Sequence, residues 1–328
     1  MAELVEKHDA LLLDLDGTVW SGGEAIPHAV EAIEASGLRA MYVTNNASRS
    51  AADVAERLRG IGLAASEEDV LTSAMAALGL AKDRLEAGDP VLVVGADSFK
   101  QLVRDAGYAV VESADDHPKV VLHGHNPETG WHELSEAALA IQRGAVYLAS
   151  NLDTTLPMER GLMVGNGSMV AAVTSATGVT PEAAGKPGPA MFHQAAELAG
   201  AGSPLAVGDR LDTDIAGGVA AGMPTLHVLT GVSGPQALLE APENQLPTYI
   251  GADLRSLGAD PGELRPRPQG GFTARVDGDA VVLDGGDAGA GLLEAVRTAV
   301  SAAWDSGARV ERVRAASEVA EAALEHWW

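Results

Sequence analysis

The sequence has no cysteine, which excludes disulfides and thiolate chemistry and suits a reducing cytoplasm. Positive charge is also short. Against 46 Asp and Glu there are 22 Lys and Arg, a net charge of −24. That balance weighs against nucleic acid or anionic lipid as a partner. It leaves room for a small anionic substrate, because one metal ion and one lysine can reverse the local field. No apolar run approaches the roughly 20 residues that cross a bilayer. The acidic opening "MAELVEKHDA" lacks the apolar stretch of a signal peptide. A cytoplasmic protein without nucleic-acid or membrane partners is therefore expected. Internal repeats and low-complexity tracts are absent as well.

What is present is a chain of 328 residues, 46% hydrophobic, long enough for about two domains with a proper core. Continuous apolar runs ("ALLLDL", "RAMYVTN", "VLVVGA", "KVVLHG", "AVYLAS", "PLAVGD", "TLHVLTG") read as strands covered on both faces. Between them lie helical stretches such as "PHAVEAIEASG", "SAADVAERLRGIG", "SEAALAIQRG" and "PAMFHQAAELAG", several closing in glycine. The alternation predicts an α/β fold with a doubly wound parallel-sheet core.

Three of those strands run straight into polar clusters: "DLDGT", "VTNN" and "VGDRLDTD". In open parallel sheets, ligands bind at the carboxyl ends of strands. The first cluster poses a physical problem. Asp14 and Asp16 follow three leucines at the end of a buried strand, where desolvation and mutual repulsion disfavour two carboxylates unless a cation or a proton transfer uses them. A strand leaving the core through an Asp-Gly turn is the plainer reading of that stretch alone. "TNN" alone is likewise an ordinary strand-to-helix turn, and most lysines are solvated. Lysine is scarce, however, with only Lys7, Lys82, Lys100 and Lys119 besides Lys186, which stands between glycine and proline ahead of a helix.

Taken together and in order, "DLDGT", "TNN", "GKPGP" and "GDRLDTD" resemble the haloacid dehalogenase superfamily of phosphatases. The block between the second and third motifs resembles the C2-type cap of the NagD- and p-nitrophenyl-phosphatase-like branch, which includes glycerol-phosphate, phosphoglycolate and pyridoxal-phosphate phosphatases. The resemblance covers about residues 8–257. It implies Asp14 as the nucleophile that forms an aspartyl-phosphate, and Asp16 as the general acid and base. A carboxylate at position 16 favours phosphate over halide, since a halide leaves without a proton. Gly17 permits the tight turn beside the phosphate. Thr44, Asn45 and Lys186 are implied as phosphate ligands, with Lys186 also implied as a catalytic residue that pairs with the nucleophile. A magnesium ion is implied on Asp14, Asp209 and the backbone carbonyl of Asp16, with Asp214 in its outer shell. Asp212 is expected to cap the following helix.

The cap segment "ASNLDTTLPMERGLMVGNGSMV" matches the family's signature at Asn151 and Asp153, implied as substrate-binding residues, and departs from it at Val164, where proline is usual. Asp153 and Glu159 would repel a second anionic group, which ranks glycerol phosphate above phosphoglycolate and pyridoxal or nucleotide phosphates. His123, His125 and His132 lack a completing ligand, so solvated or hydrogen-bonded histidines are expected there rather than zinc. The expected domains are 1–76 with 185–257 as the core, 77–184 as the cap, and 258–328 as an extension of unknown role. The stretch "GADPGELRPRPQGG" reads as a linker to a small unit of order ββαβα, with a hairpin turn at Asp277, Gly278 and Asp279. Its tryptophans are expected to bury apolar surface against the core or in a homodimer. The overall expectation is a magnesium-dependent phosphatase of small monoesters. A phosphoryl transferase and a non-catalytic phosphate-metabolite binder are the alternatives.

Overall fold

The computed structural model describes residues 3–158, 160–325 and 327. Glu159 and Trp328 lie outside the described residues. In chain order the strands of the first half are β1 (Ala10–Leu13), β2 (Trp20–Ser21), β3 (Glu24–Ala25), β4 (Arg39–Thr44), β5 (Val70–Thr72), β6 (Pro90–Val94), β7 (Ala109–Val111), β8 (Val120–His123) and β9 (Val146–Ala149). They continue with β10 (Thr155–Met158), β11 (Gly161–Val164), β12 (Glu182–Ala183), β13 (Pro204–Gly208), β14 (Thr225–Val228), β15 (Tyr249–Gly251), β16 (Phe272–Asp277), β17 (Ala280–Gly285) and β18 (Arg312–Ala315).

The chain forms two compact units, Met1–Tyr42 with Ile61–Leu63 and Ala196–Trp328, and Val43–Gly60 with Ala64–Ala195. The boundary falls within β4. In the first unit, β15, β14, β13, β1 and β4 are successive neighbours in a parallel sheet. β1 lies inside it, paired to β13 from Ala10↔Pro204 to Leu13↔Val207 and to β4 on its other side. All four β1 residues are buried, as an all-apolar run with sheet neighbours on both edges requires. The register brings the carboxyl ends of β1 and β13 together.

Residues 258–328 belong to this same unit, so the compact units do not follow the three expected segments. The hairpin β16–β17 turns at Gly278, which takes φ 64°. β18 joins β17 in parallel after the helix Leu292–Ser306, which ends on Gly307 in the left-handed conformation. The stretch read as a linker is packed instead. It contains a helical turn, Pro261–Leu264, whose first and last residues are buried, with Asp260 accepting from the Gly262 N–H at 2.8 Å. Proline suits the first helical position, where no N–H is needed. The buried Arg297 donates twice to the Ile250 carbonyl, at 2.9 and 2.6 Å, and Trp304 Nε1 donates to the Leu238 carbonyl at 2.9 Å. Leu211, Ile215, Leu238 and Ile250 share one buried cluster with Val296, Val300 and Trp327. Trp327 is thus buried within the chain's own unit, with Trp304 half-buried against the same cluster.

In the second unit, β5 is the sheet neighbour of β4. A parallel sheet of order β12, β9, β8, β6, β7 forms its main body. The helices Trp131–Gln142 and Asn166–Thr177 contribute Ala137, Ile141, Val170 and Val173 to the core that this sheet shares. The unit takes in 43–60, 64–76 and 185–195 besides the expected cap segment. Val164, at the position of the usual proline, ends the antiparallel hairpin β10–β11.

Candidate active site

Asp14 is the first residue beyond β1, and its N–H still donates to the Val207 carbonyl at 2.9 Å. Asp209 is the first residue beyond β13 and is fully buried. A single wide helical turn, Leu211–Ile215, then returns the chain so that the buried Asp214 accepts from the Arg210 N–H at 3.1 Å. Asp14, Asp209 and Asp214 each offer an oxygen within 4.8 Å of the others, the one such group among the described residues. Thr18 and the Val232 N–H both donate to Asp209, at 3.4 and 2.6 Å.

Glycine lines this cradle because nothing larger fits. A Cβ on Gly17, which also takes φ 93°, would stand 2.5 Å from Asp209 Oδ2. One on Gly231 would stand 2.0 Å from the same atom, and one on Gly208 would meet Asp214 Cβ at 2.2 Å. Three clustered carboxylates, two of them buried, repel one another unless a cation offsets them. An all-oxygen donor set suits a hard divalent ion such as magnesium. The cradle fits the ion expected from the sequence.

Asp16, by contrast, is exposed. Its Oδ1 accepts from Trp20 Nε1 at 2.8 Å, and Thr230 donates to the Gly17 carbonyl at 2.6 Å. Asp212 does not cap a helix. Arg210 donates to both of its carboxylate oxygens, at 3.1 and 2.8 Å, and holds that carboxyl below the usual range. An arginine two residues away competes better for an exposed carboxylate than a backbone N–H does.

The remaining predicted residues gather in the second unit. Lys186 is buried, and its Nζ donates to the Val43 carbonyl at 3.1 Å. The Asn45 side chain joins three segments: its Oδ1 accepts from the Lys186 N–H at 2.8 Å, and its Nδ2 donates to the Lys186 carbonyl and to Asp153 Oδ2 at 3.0 and 3.1 Å. Asn151 Nδ2 donates to the Asn45 carbonyl at 2.8 Å, and Asn151 Oδ1 accepts from the Asp153 N–H at 3.2 Å. Thr44 Oγ1 accepts from the Asn46 N–H at 3.1 Å. Gly185 is required here too, since a Cβ would approach the Ser150 carbonyl to 2.5 Å. The lysine between glycine and proline is therefore fixed at its own backbone by the side-chain amide of Asn45.

Sequence reasoning passed over Trp20, Ser73, Asn166 and the backbone N–H of Val232. Ser73, fully buried, donates to the Asn45 carbonyl at 2.6 Å, and Asn166 Nδ2 donates to the Asn151 carbonyl at 2.8 Å. The spacing of Trp20 four residues after Asp16 was a readable signal; a backbone N–H leaves none. His123 is buried with Nδ1 2.8 Å from the Tyr147 hydroxyl, and burial pushes its pKa down to about 4. No metal group among the described residues includes His123, His125 or His132.

A family model described as haloacid dehalogenase-like hydrolase matches residues 11–109, and a second, HAD-hydrolase-like, matches residues 183–257. Over its whole length the chain is 45% identical to D-glycerol 3-phosphate phosphatase of Mycobacterium tuberculosis, covering 96% of that protein. The chain belongs to the haloacid dehalogenase-like hydrolase family. The two matched segments hold Asp14, Asp16, Thr44, Asn45, Lys186, Asp209 and Asp214. Acid sugar phosphatase of Staphylococcus aureus is 34% identical over 78% of this chain and 99% of its own. Among solved structures, glycerol phosphate phosphatase of Mycobacterium tuberculosis in complex with magnesium superposes with a TM-score of 0.94 at 45% identity, covering 100% of this chain and 99% of that one. The p-nitrophenyl phosphatase of Archaeoglobus fulgidus gives 0.70 at 29% identity, over 76% of this chain and 98% of that one. Among the described residues no helix is long and apolar enough to cross a membrane.

Proposed function

We propose that this chain hydrolyses small phosphate monoesters with magnesium, glycerol phosphate first among them, in the cytoplasm. The carboxylate cradle of Asp14, Asp209 and Asp214 carries the reading. The full-length likeness to a D-glycerol 3-phosphate phosphatase supports the choice of ester. Asp14 attacks phosphorus and becomes an aspartyl-phosphate, dividing the reaction into two easier displacements. Asp16 protonates the departing alcohol and then takes the proton of the attacking water. Asp14, Asp209 and the Asp16 carbonyl would hold the magnesium ion, with Asp214 behind them. When bound, the ion supplies positive charge against the phosphoryl oxygens. The family resemblance assigns phosphate contacts to Gly17, Thr44, Asn45 and Lys186, and further substrate contacts to Asn151 and Asp153.

Phosphate release from glycerol 3-phosphate, phosphoglycolate, pyridoxal phosphate, a nucleotide and p-nitrophenyl phosphate, with magnesium and with chelator after dialysis, tests this. Glycerol 3-phosphate is expected to give the highest kcat/KM, and chelator to abolish release. Release of phosphate from none of the esters would overturn the reading.

A further inference from the structure

Asp16 and Trp20 close a five-residue turn. The Gly17 N–H donates to the Trp20 carbonyl at 2.8 Å, and the Trp20 N–H donates to the Leu15 carbonyl at 3.0 Å. Beyond the turn, Trp20 pairs with Ala25 across the short β2–β3 hairpin, and its side chain is 5% exposed. The indole is therefore anchored, while the carboxylate it touches is not. An exposed aspartate with no fixed partner samples several staggered rotamers. Here Trp20 Nε1 donates to Asp16 Oδ1 at 2.8 Å and selects one of them.

We propose that Trp20 is the positioning residue that aims Asp16 for proton transfer, an inference that rests on the phosphatase reading above. The chemistry of the indole makes the assignment specific. Its N–H donates and cannot accept, and in a carboxylic acid the carbonyl oxygen is a far better acceptor than the hydroxyl oxygen, so the bond favours Oδ1 as the unprotonated oxygen. The acidic proton is thereby placed on Oδ2. As the P–O bond to the leaving alcohol breaks, the Oδ2–H bond breaks with it, and the proton passes to the departing oxygen. The ionised Oδ2 then takes a proton from the water that attacks the aspartyl-phosphate, which restores the acid. Oδ1 accepts from the indole in both states, so the same contact serves both steps.

A proton is needed only where the leaving group is a poor one. The experiment compares the parent protein with Trp20→Phe, and with a chain carrying 3-benzothienylalanine at position 20, on glycerol 3-phosphate and on p-nitrophenyl phosphate. Benzothienylalanine replaces the N–H by sulfur at nearly the same shape, so it carries the test if Trp20→Phe does not fold. General acid catalysis is worth about 10²–10⁴ in rate, and losing its aim forfeits part of that. With both substitutions kcat/KM for glycerol 3-phosphate, which covers the steps through departure of the alcohol and not hydrolysis of the shared aspartyl-phosphate, is expected to fall about tenfold. For p-nitrophenyl phosphate kcat/KM stays within about threefold. Equal losses of kcat/KM on the two esters would make Trp20 a packing residue and overturn the proposal, as would no loss on glycerol 3-phosphate. A parent that releases phosphate from neither ester would instead sink the phosphatase reading, and this inference with it.

Discussion

Trp327 lies in the same buried cluster as Leu211, the residue two positions beyond Asp209. Ile215, directly after Asp214, belongs to that cluster too. The turn that follows Asp209 and carries Asp214 is thus backed by the end of the chain. Trp327→Ala leaves a large cavity and is expected to cost about 3–5 kcal/mol, read by denaturant unfolding. A chain ending at residue 257 would uncover Leu238, Leu239 and Ile250 and strip the Ile250 carbonyl of Arg297. It is expected to be insoluble or unfolded. That reverses the outcome implied by reading "LRPRPQGG" as a linker. A soluble truncation with the parent's melting temperature and turnover would show that the extension does not support the site.

The parts of the fold legible in the sequence were those with local signals. The apolar run ending at Asp14, the turn at Gly278 and the helix closing on Gly307 each announce themselves within ten or so residues. β5, β7 and β15 do not, because three residues of "VLT", "AVV" or "YIG" are too few to establish a period. The packing of the extension was equally silent. It rests on Arg297 reaching a main-chain carbonyl 47 positions away, and a carbonyl has no signature in a sequence. At the site, residue types at strand ends pointed to Asp14 and Asp209, and a scarce lysine between glycine and proline ahead of a helix pointed to Lys186. The second motif was read for a hydroxyl and a backbone N–H toward phosphate; the bonds of the Asn45 side chain to the backbone of Lys186 and to Asp153 had no signal in the sequence.

Asp14→Asn should abolish turnover, by at least about 10³-fold, because the amide is no nucleophile. The fold should not suffer. Without magnesium the substitution removes one of three mutually repelling charges, so the melting temperature is expected to hold or rise. With magnesium the parent should gain more stability than the variant, since only the parent keeps the full ligand set. Melts with and without the ion, beside a phosphate-release assay, read all three quantities. Retained turnover would remove Asp14 from the chemistry.

Gly231→Ala addresses the cradle without touching a charge. Its Cβ would fall 2.0 Å from Asp209 Oδ2, so the carboxylate or the loop must move, and the 2.6 Å bond from the Val232 N–H moves with them. Overpacking of this kind costs about 1–3 kcal/mol. Spent on the ligand's position, about 1.4 kcal/mol of it is a tenfold weaker affinity for magnesium. Calorimetric titration with magnesium checks this. Matching titrations of variant and parent would show that Asp209 has room to spare.

Acid should loosen the fold through its buried histidines before most carboxylates titrate. Burial pushes His227 and His123 down to about 4 from 6.5. Between those values the unfolded chain binds protons that the folded one refuses. Stability is therefore level above pH 6.5, falls as pH drops toward 4, and levels again below. Each histidine contributes a slope of about 1.4 kcal/mol per pH unit in that window. His227 Nε2 donates to the Ser233 carbonyl at 2.8 Å, and the Ser233 N–H donates to the Asp209 carbonyl at 3.1 Å. The Ser233 hydroxyl accepts from the Leu211 N–H at 3.1 Å. His227→Gln keeps a donor for Ser233 and removes the titration. Urea unfolding at pH 6.5, 6.0, 5.5 and 5.0 should show the slope of the variant reduced by about 1.4 kcal/mol per pH unit relative to the parent. Parallel slopes would mean that His227 takes up its proton in the folded protein.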